Sequence, residues 1–147
     1  MRPIIPALRP VYAALVEPAY ALLRVVAGGF LVPHGMWKLF GITGDQAQMA
    51  QFFADIGLQP AFPLMIAVGL VEFVGGILIA LGLLTRPAAL AAAVTTGSAA
   101  FFAHLPYGFY VEPGGIEFAA LWAIVLLFIA IRGGGNISLD RAIGREF

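Results

Sequence analysis

Four apolar segments separated by proline and glycine occupy most of the sequence, at about residues 19–40, 64–84, 88–105 and 116–131. A spanning helix needs roughly 20 apolar residues, because each residue adds about 1.5 Å and the hydrocarbon core is roughly 30 Å thick. Backbone polar groups in that core must be satisfied internally, which favours helices. The sequence therefore predicts an all-α fold, an integral membrane four-helix bundle that residues 1–147 form as a single domain.

The composition excludes several other classes of protein. Hydrophobic residues make up 61% of the chain and charged residues 11%, against about 45–50% and about 25% in an ordinary soluble domain. Eight acidic residues balance eight basic ones, so the chain has no excess positive charge with which to bind nucleic acid. Cysteine is absent from the sequence, which excludes disulfides, thiolate metal sites and cysteine-ligated iron–sulfur clusters.

A short amphipathic helix is predicted at about residues 46–56, in the loop between the first two segments. Its apolar side chains recur at helical spacing, as Met49, Phe52, Phe53 and Ile56. Asp45 can cap its start and Gly57 can close its end. A helix of this kind typically lies flat in the membrane interface. Two further short helices are expected, an approach segment at Pro10–Glu17 and a C-terminal helix at Ser138–Phe147 capped by Ser138.

The distribution of basic residues predicts the orientation in the membrane. The two loops at 41–62 and 106–115 contain no arginine or lysine. Basic residues occur before the first segment, between the second and third, and after the fourth, as Arg2, Arg9, Arg86, Arg132, Arg141 and Arg145. Such residues are retained on the cytoplasmic side. We therefore expect a multi-pass membrane protein with both termini in the cytoplasm.

Six ionisable residues lie inside the apolar segments or at their ends: Arg24, His34, Lys38, Glu72, His104 and Glu117. Each is a candidate functional residue, because a charge near the centre of a bilayer costs a few kcal/mol at least. Counting along the segments places all of them except Arg24 towards the outer side. We expect these five to surround an outward-facing pocket that the 46–56 helix covers.

Chemistry suggests different roles within this set. His34, His104 and Glu72 are the candidate catalytic residues, because imidazole and carboxylate groups can hydrogen-bond a ligand and exchange protons with it. The candidate cofactor-binding residues are Arg24, Lys38 and Glu117. No metal site is predicted. Haem held by the two histidines is not expected, because their depths differ by more than one helical turn.

Structural roles are the alternative for several of these residues. Arg24 and Glu72 can form a neutral pair between the first two segments, since intramembrane charges usually pair with each other. Lys38 can extend to the outer headgroups. Glu117 can interact with the dipole at the start of the fourth helix. It can also accept a hydrogen bond from a histidine on the same side of the membrane, which is the arrangement expected in the pocket.

Glycines line the polar faces of the first two segments. At about 100° per residue, Gly28 and Gly35 share the face of the first segment that carries its charged residues. Gly69 and Gly76 share the face of the second segment that carries Glu72. Because small residues let helix backbones approach closely in membranes, these two segments are predicted to pack tightly beside their polar groups.

Several of these residues lie in motifs that resemble one membrane-protein family. The motifs are Leu22-Leu23-Arg24, Pro33-His34-Gly35-Met36-Trp37-Lys38-Leu39-Phe40-Gly41, Gly69-Leu70-Val71-Glu72-Phe73-Val74-Gly75-Gly76, Leu81-Gly82-Leu83-Leu84-Thr85-Arg86, His104-Leu105-Pro106 and Gly114-Gly115-Ile116-Glu117-Phe118. Together they closely resemble the DoxX family, in order through all four segments and over about residues 20–140.

The resemblance implies a four-helix inner-membrane protein with a redox role. The family is named for a subunit of a membrane thiosulfate:quinone oxidoreductase, and other members resemble membrane anchors of redox complexes with sulfurtransferase or superoxide dismutase partners. The leading hypothesis is therefore a membrane component of a quinone-linked oxidoreductase system, with quinone as cofactor and the bilayer and other redox subunits as partners. The alternative is a non-catalytic accessory or anchoring subunit of a larger membrane complex. A solute carrier fits poorly, because four spans without an inverted repeat do not suit alternating access.

Overall fold

The fold was analysed in a computed structural model that describes residues 4–42 and 44–146. It is all-helical, and these described residues form no β-strand. The helices are α1 (Arg9–Phe40, after a 3₁₀ turn at Pro6–Leu8), α2 (Gln46–Asp55), α3 (Ala61–Leu81), α4 (Thr85–Tyr107), α5 (Glu117–Arg132) and α6 (Leu139–Ala142). Arg2 and Phe147, which entered the predictions above, lie outside the described residues.

Three of these helices are long and apolar enough to cross a membrane. They are α1 with its preceding turn, α3 and α4, at 35, 21 and 23 residues. The fourth predicted span corresponds to α5, which has 16 residues and a length of about 24 Å, less than a hydrocarbon core of roughly 30 Å. The all-helical membrane fold is thus confirmed, and the count of four spans stays a prediction.

Helix α1 begins earlier than predicted. It starts at Arg9 and continues through Pro18 and Pro33, so the separate approach segment expected at Pro10–Glu17 is wrong. A proline inside a helix removes one backbone donor, and membrane helices tolerate it where neighbouring groups satisfy the freed carbonyl.

Helices α1 and α3 are antiparallel and touch through glycine. A side chain at Gly28 would overlap the backbone of Gly76, and one at Gly35 would overlap the backbone of Gly69 and Phe73. The predicted close packing of the two glycine-lined faces is confirmed. Because both contacts involve backbone atoms, neither helix can accommodate a larger residue without moving apart.

Replacing Gly35 by alanine should therefore destabilise the fold. We expect Gly35→Ala to lower the free energy of unfolding by roughly 1–3 kcal/mol, the usual effect of overpacking. Gly29→Ala is the matched control, because a methyl group there meets no atom within 4 Å. It should leave stability unchanged or raise it by up to about 1 kcal/mol through helix propensity. Thermal unfolding in detergent compares the two, and equal stability of both variants would contradict the glycine contact.

The remaining core lies where α4 packs against α5. Small side chains on α4 allow this close approach, and the buried ones are Ala88, Ala89, Ala92 and Ala93. From α5 they meet Leu126, Ile129 and Ala130, which are also buried. The alanine-rich segment therefore packs one face inside the bundle, while Leu90 and Val94 on its other side are exposed.

One end of the bundle is closed by residues 133–146, which we call the tail segment. Asp140 in this segment is buried and its carboxylate accepts hydrogen bonds from Leu84 N (2.8 Å), Thr85 N (3.0 Å) and Thr85 Oγ1 (2.8 Å). It thus supplies the N-terminal cap of α4 from a distant part of the sequence. Ser138 caps α6 by accepting from Arg141 N (3.1 Å), as predicted, although this helix covers only Leu139–Ala142.

A second set of polar contacts attaches the start of α1 to the tail segment. Glu17 pairs with Arg132 at 3.0 Å and accepts from Asn136 N at 3.1 Å. The Arg132 guanidinium lies 3.9 Å from the centre of the Tyr20 ring, and the Tyr20 hydroxyl donates to Gly133 O. This closed end is therefore a polar, structural part of the molecule.

Candidate functional site

The candidate site is a cavity of about 990 Å³ among α1, α2, α3, α4 and α5, on the side of the bundle away from the tail segment. Helix α2 covers it with Gln48, Met49, Phe52, Phe53 and Ile56. Asp45 caps α2 as predicted, by accepting from Ala47 N at 2.8 Å. The Gln46 amide on α2 also donates to Lys38 O at 2.7 Å, which connects this cover directly to α1.

Stacked aromatic rings form one wall of the cavity. The Trp122 indole lies between Phe30 (ring centres 5.8 Å apart, 6° between planes) and Phe118 (5.4 Å, 29°). All three rings line the cavity. They bridge α1 and α5 and make this wall apolar and aromatic. Such a surface suits an aromatic ligand that can stack.

The central polar feature of the cavity is an ion pair between α1 and α3. Lys38 Nζ lies 2.7 Å from Glu72 Oε2, and the two side chains are only 10% and 14% exposed. Both residues line the cavity. The predicted Arg24–Glu72 pair is therefore wrong, because Glu72 binds the other cation of α1. The prediction that Lys38 extends to the headgroups is wrong for the same reason.

Arg24 lies at the opposite end of the bundle and does not line the cavity. It is 2% exposed, and its guanidinium donates to Ile79 O, to Ala80 O (2.9 Å) and to Ile137 O (2.7 Å). The first two carbonyls belong to the last turn of α3, where Ile79 O also accepts from Gly82 N at 3.1 Å and Arg24 adds a side-chain donor for both. Arg24 thus caps α3 and binds it to the tail segment, which corrects its assignment to cofactor binding.

His104 faces the cavity from α4, and its environment fixes which ring nitrogen carries a proton. Its Nδ1 lies 2.8 Å from Gly114 O. A carbonyl oxygen can only accept, so Nδ1 is the donor and Nε2 is the remaining nitrogen. The partner of this histidine is a backbone carbonyl and not the expected carboxylate.

Glu117 does not belong to the cavity wall. Its side chain is exposed at the start of α5 and accepts from Val111 N at 3.3 Å. The expected histidine–carboxylate contact is therefore wrong, and the Glu117 carboxylate instead binds the loop that precedes α5. His34, in contrast, lines the cavity from α1, one helical turn before Lys38.

Two of the candidate residues lie in irregular turns of their helices. Glu72 is in a π-helical turn at Val71–Gly75, and His104 is in another at Ala100–His104. Such turns occur often at functional sites, because they rotate a side chain away from its regular position. Here both turns form parts of the cavity wall, an arrangement that apolar periodicity does not indicate.

Sequence reasoning missed three hydroxyl groups on the α4 wall, those of Thr95, Thr96 and Ser98, and two of them are committed to their own helix. Thr95 Oγ1 donates to Ala91 O (3.2 Å) and Ala92 O (3.0 Å), and Ser98 Oγ donates to Val94 O (2.8 Å). Both residues line the cavity. Their spacing of three residues in an otherwise apolar helix was the available signal, since it places two hydroxyls on one face.

Comparison with known proteins gives the family. The sequence model of the DoxX family matches residues 19–105. The chain belongs to the DoxX family. An uncharacterized protein of Haemophilus influenzae is 30% identical over 127 residues, covering 82% of this chain and 87% of the relative. A Bacillus subtilis protein named "Putative oxidoreductase CatD" is 33% identical over 119 residues, covering 81% and 82%. No solved structure matches.

Family membership agrees with the physical character of the helices. With three helices long and apolar enough to span a bilayer, this DoxX protein is a membrane protein whose outer faces contact lipid. Large apolar side chains such as Leu22, Phe101 and Ile124 are more than half exposed. In water such a surface would be unfavourable, whereas in a bilayer it is the expected one.

Proposed function

We propose that this DoxX protein is a membrane component of a quinone-linked oxidoreductase system and binds quinone in the cavity. The cavity itself carries the proposal. Its volume of about 990 Å³ lies at the upper end of small-molecule sites, roughly 300–1,000 Å³. Apolar walls with a few polar groups suit an aromatic headgroup with an isoprenoid tail. The name of the Bacillus subtilis relative also supports an oxidoreductase role.

The residues of the cavity have separate tasks in this proposal. Phe30 and Phe118, which flank the Trp122 ring, contact the headgroup, and Met49, Phe52 and Phe53 of α2 exclude water. His34, His104 and Glu72 hydrogen-bond the headgroup oxygens and hold or accept their protons. A bound quinone supplies two-electron chemistry coupled to two protons. The electrons are exchanged with another subunit of the system, which is the partner that the proposal requires.

The proposed topology has four spans and both termini in the cytoplasm. The membrane is the inner membrane of the cell. The arginines support this topology, because Arg24 and Arg86 contact the tail segment and Arg132 pairs with Glu17 at the same closed end. Basic residues are concentrated on the cytoplasmic side of membrane proteins. Helix α2 then lies in the outer interface, and the cavity faces the outer half of the bilayer.

Retention of quinone by purified protein tests the proposed function. We expect protein extracted from native membranes in mild detergent to contain quinone, measured by solvent extraction and chromatography. The His34→Ala/His104→Ala double variant should lose most of it, while its melting temperature stays within a few degrees of the wild type.

A matched pair of variants controls for the apolar surface of α4. Phe102 lines the cavity, whereas the neighbouring Phe101 is exposed on α4 and does not. Phe102→Ala should lower quinone content and Phe101→Ala should not. A stable double histidine variant with unchanged quinone would end the proposal.

A non-catalytic accessory subunit is the second candidate, supported by the closed end. There Arg24 and Asp140 are buried and make hydrogen bonds that hold helices together, so much of the buried charge serves the fold. This candidate predicts a stable protein that copurifies with a larger membrane complex and contains no quinone. Quinone analysis of the same preparation separates the two functions.

A further inference from the structure

We infer that the cavity selects hydrogen-bond donors, so that a hydroquinone-type ligand with two hydroxyl groups binds more tightly than its oxidised quinone. This inference rests on the proposed function, because it concerns the redox state of the same ligand. It follows from counting which polar atoms of the cavity wall can still donate and which can only accept.

Two hydroxyl groups of α4, those of Thr95 and Ser98, act as acceptors towards the cavity. Each hydroxyl has one hydrogen, and those of Thr95 and Ser98 are donated to backbone carbonyls of the preceding helical turn. The oxygen lone pairs are what remains for a ligand. Although hydroxyl groups usually offer both functions, these two are restricted by their own helix.

His104 and Glu72 add two further acceptors. Because Nδ1 of His104 donates to Gly114 O, its neutral form offers an unprotonated Nε2. The Glu72 carboxylate has two oxygens, and Lys38 occupies one of them. An ionised carboxylate accepts only, so its other oxygen requires a donor. Four side chains on two helices therefore require hydrogen from the ligand.

Few groups of the wall favour an acceptor ligand. Lys38 Nζ is the main donor, and it directs one hydrogen to Glu72. The Trp37 indole N–H has no hydrogen-bond partner among the described residues, but it is buried beside Gly44 and is not accessible to a ligand in the cavity. Gln48, His34 and the Thr96 hydroxyl also line the cavity and can donate or accept, so they favour neither redox form. A benzoquinone has only acceptor oxygens, whereas the hydroquinone carries two O–H donors, and the wall is complementary to the second.

Three ligands of the same shape test this inference. They are a short-chain alkyl hydroquinone, its quinone, and its dimethyl ether, which keeps the reduced ring but has no O–H donors. Isothermal titration calorimetry under argon, on protein stripped of lipid, measures each Kd. We expect the hydroquinone to bind at least about tenfold more tightly than both others, since each hydrogen bond contributes about fivefold.

The ether separates hydrogen bonding from shape and partitioning into detergent. Equal affinity for hydroquinone and quinone, or tighter binding of the quinone, would overturn this inference while leaving the proposed function in place. Failure of all three ligands to bind would overturn both.

Thr95 provides a variant that keeps the shape of the wall. Thr95→Val removes the acceptor oxygen at nearly constant volume, and should weaken hydroquinone binding about fivefold without changing quinone binding. Thr95→Ser keeps a hydroxyl and should retain the preference. An equal loss for both redox forms in Thr95→Val would show a packing effect and contradict the acceptor role.

Discussion

Loss of either member of the Lys38–Glu72 pair should destabilise the protein by on the order of 3–5 kcal/mol, the usual result of leaving one buried charge without its partner. The reason is that both side chains are nearly buried between α1 and α3. The double variant Lys38→Met/Glu72→Gln removes both charges together, and should recover at least half of the loss. Thermal unfolding in detergent of the wild type, both single variants and the double variant gives the coupling.

The same experiment distinguishes this pair from a pairing with Arg24. In an Arg24→Met/Glu72→Gln double variant the two losses should simply add, because these side chains share no hydrogen bond and are separated by about 12 Å along the axis of α3. Additive losses for Lys38 and Glu72, or strong coupling between Arg24 and Glu72, would contradict the ion pair.

Arg24→Met is expected to be the other severely destabilising substitution. It removes the hydrogen bonds that the Arg24 side chain, in a residue that is 2% exposed, donates to Ile79 O, Ala80 O and Ile137 O. A buried acceptor without a partner costs roughly 1–3 kcal/mol. We therefore expect a loss of roughly 3–6 kcal/mol, with detachment of the tail segment from α3.

Arg86→Met is the matched control for Arg24→Met. Arg86 also donates to a helix-end carbonyl, Ile131 O, and pairs with Glu146 at 3.1 Å. Its side chain is 40% exposed, and exposed pairs contribute about 0–1 kcal/mol.

Unfolding curves should show a small effect for Arg86→Met and a large one for Arg24→Met. Limited proteolysis after residue 132 should increase in Arg24→Met but not in Arg86→Met. Similar losses in both would argue against a specific capping role for Arg24.

The Lys38–Glu72 pair also connects the cavity to its cover. Lys38 binds Glu72 through its ammonium group, while its backbone carbonyl accepts from Gln46 at the start of α2. One residue of α1 thus contacts both the π-helical turn of α3 and the covering helix. Breaking the Lys38–Glu72 ion pair is therefore expected to weaken the packing of α2 over the cavity as well.

Apolar length and glycine spacing determined much of this protein from the sequence alone. The helices begin and end near proline and glycine, where backbone donors are lost or left-handed conformations are needed. The set of intramembrane charges was also evident, because each is costly in lipid and therefore rare. Depth along the helices placed His34, Lys38, Glu72 and His104 on one side, and all four line the cavity.

The tertiary structure decided which charges meet. Gly28 lies against Gly76 and Gly35 against Gly69, and this register places Arg24 level with Ala80, about 12 Å along the axis from Glu72. Helical side chains tilt towards the N-terminus of their helix. On α1 this direction takes Arg24 away from Glu72, to the carbonyls that end α3, and takes Lys38 towards Glu72. Pairing Gly28 with Gly76 and Gly35 with Gly69 in the sequence would have predicted this register of α1 against α3.

Contacts between distant parts of the chain depended entirely on the tertiary structure. Asp140 caps α4 across 55 residues, and Gly114 fixes the proton of His104 through a loop that has no periodic pattern. Local patterns report which face of a helix is apolar, because periodicity acts within one helix. They do not report which carbonyl or amide a side chain will reach, since that distance is set by how the helices and loops pack together.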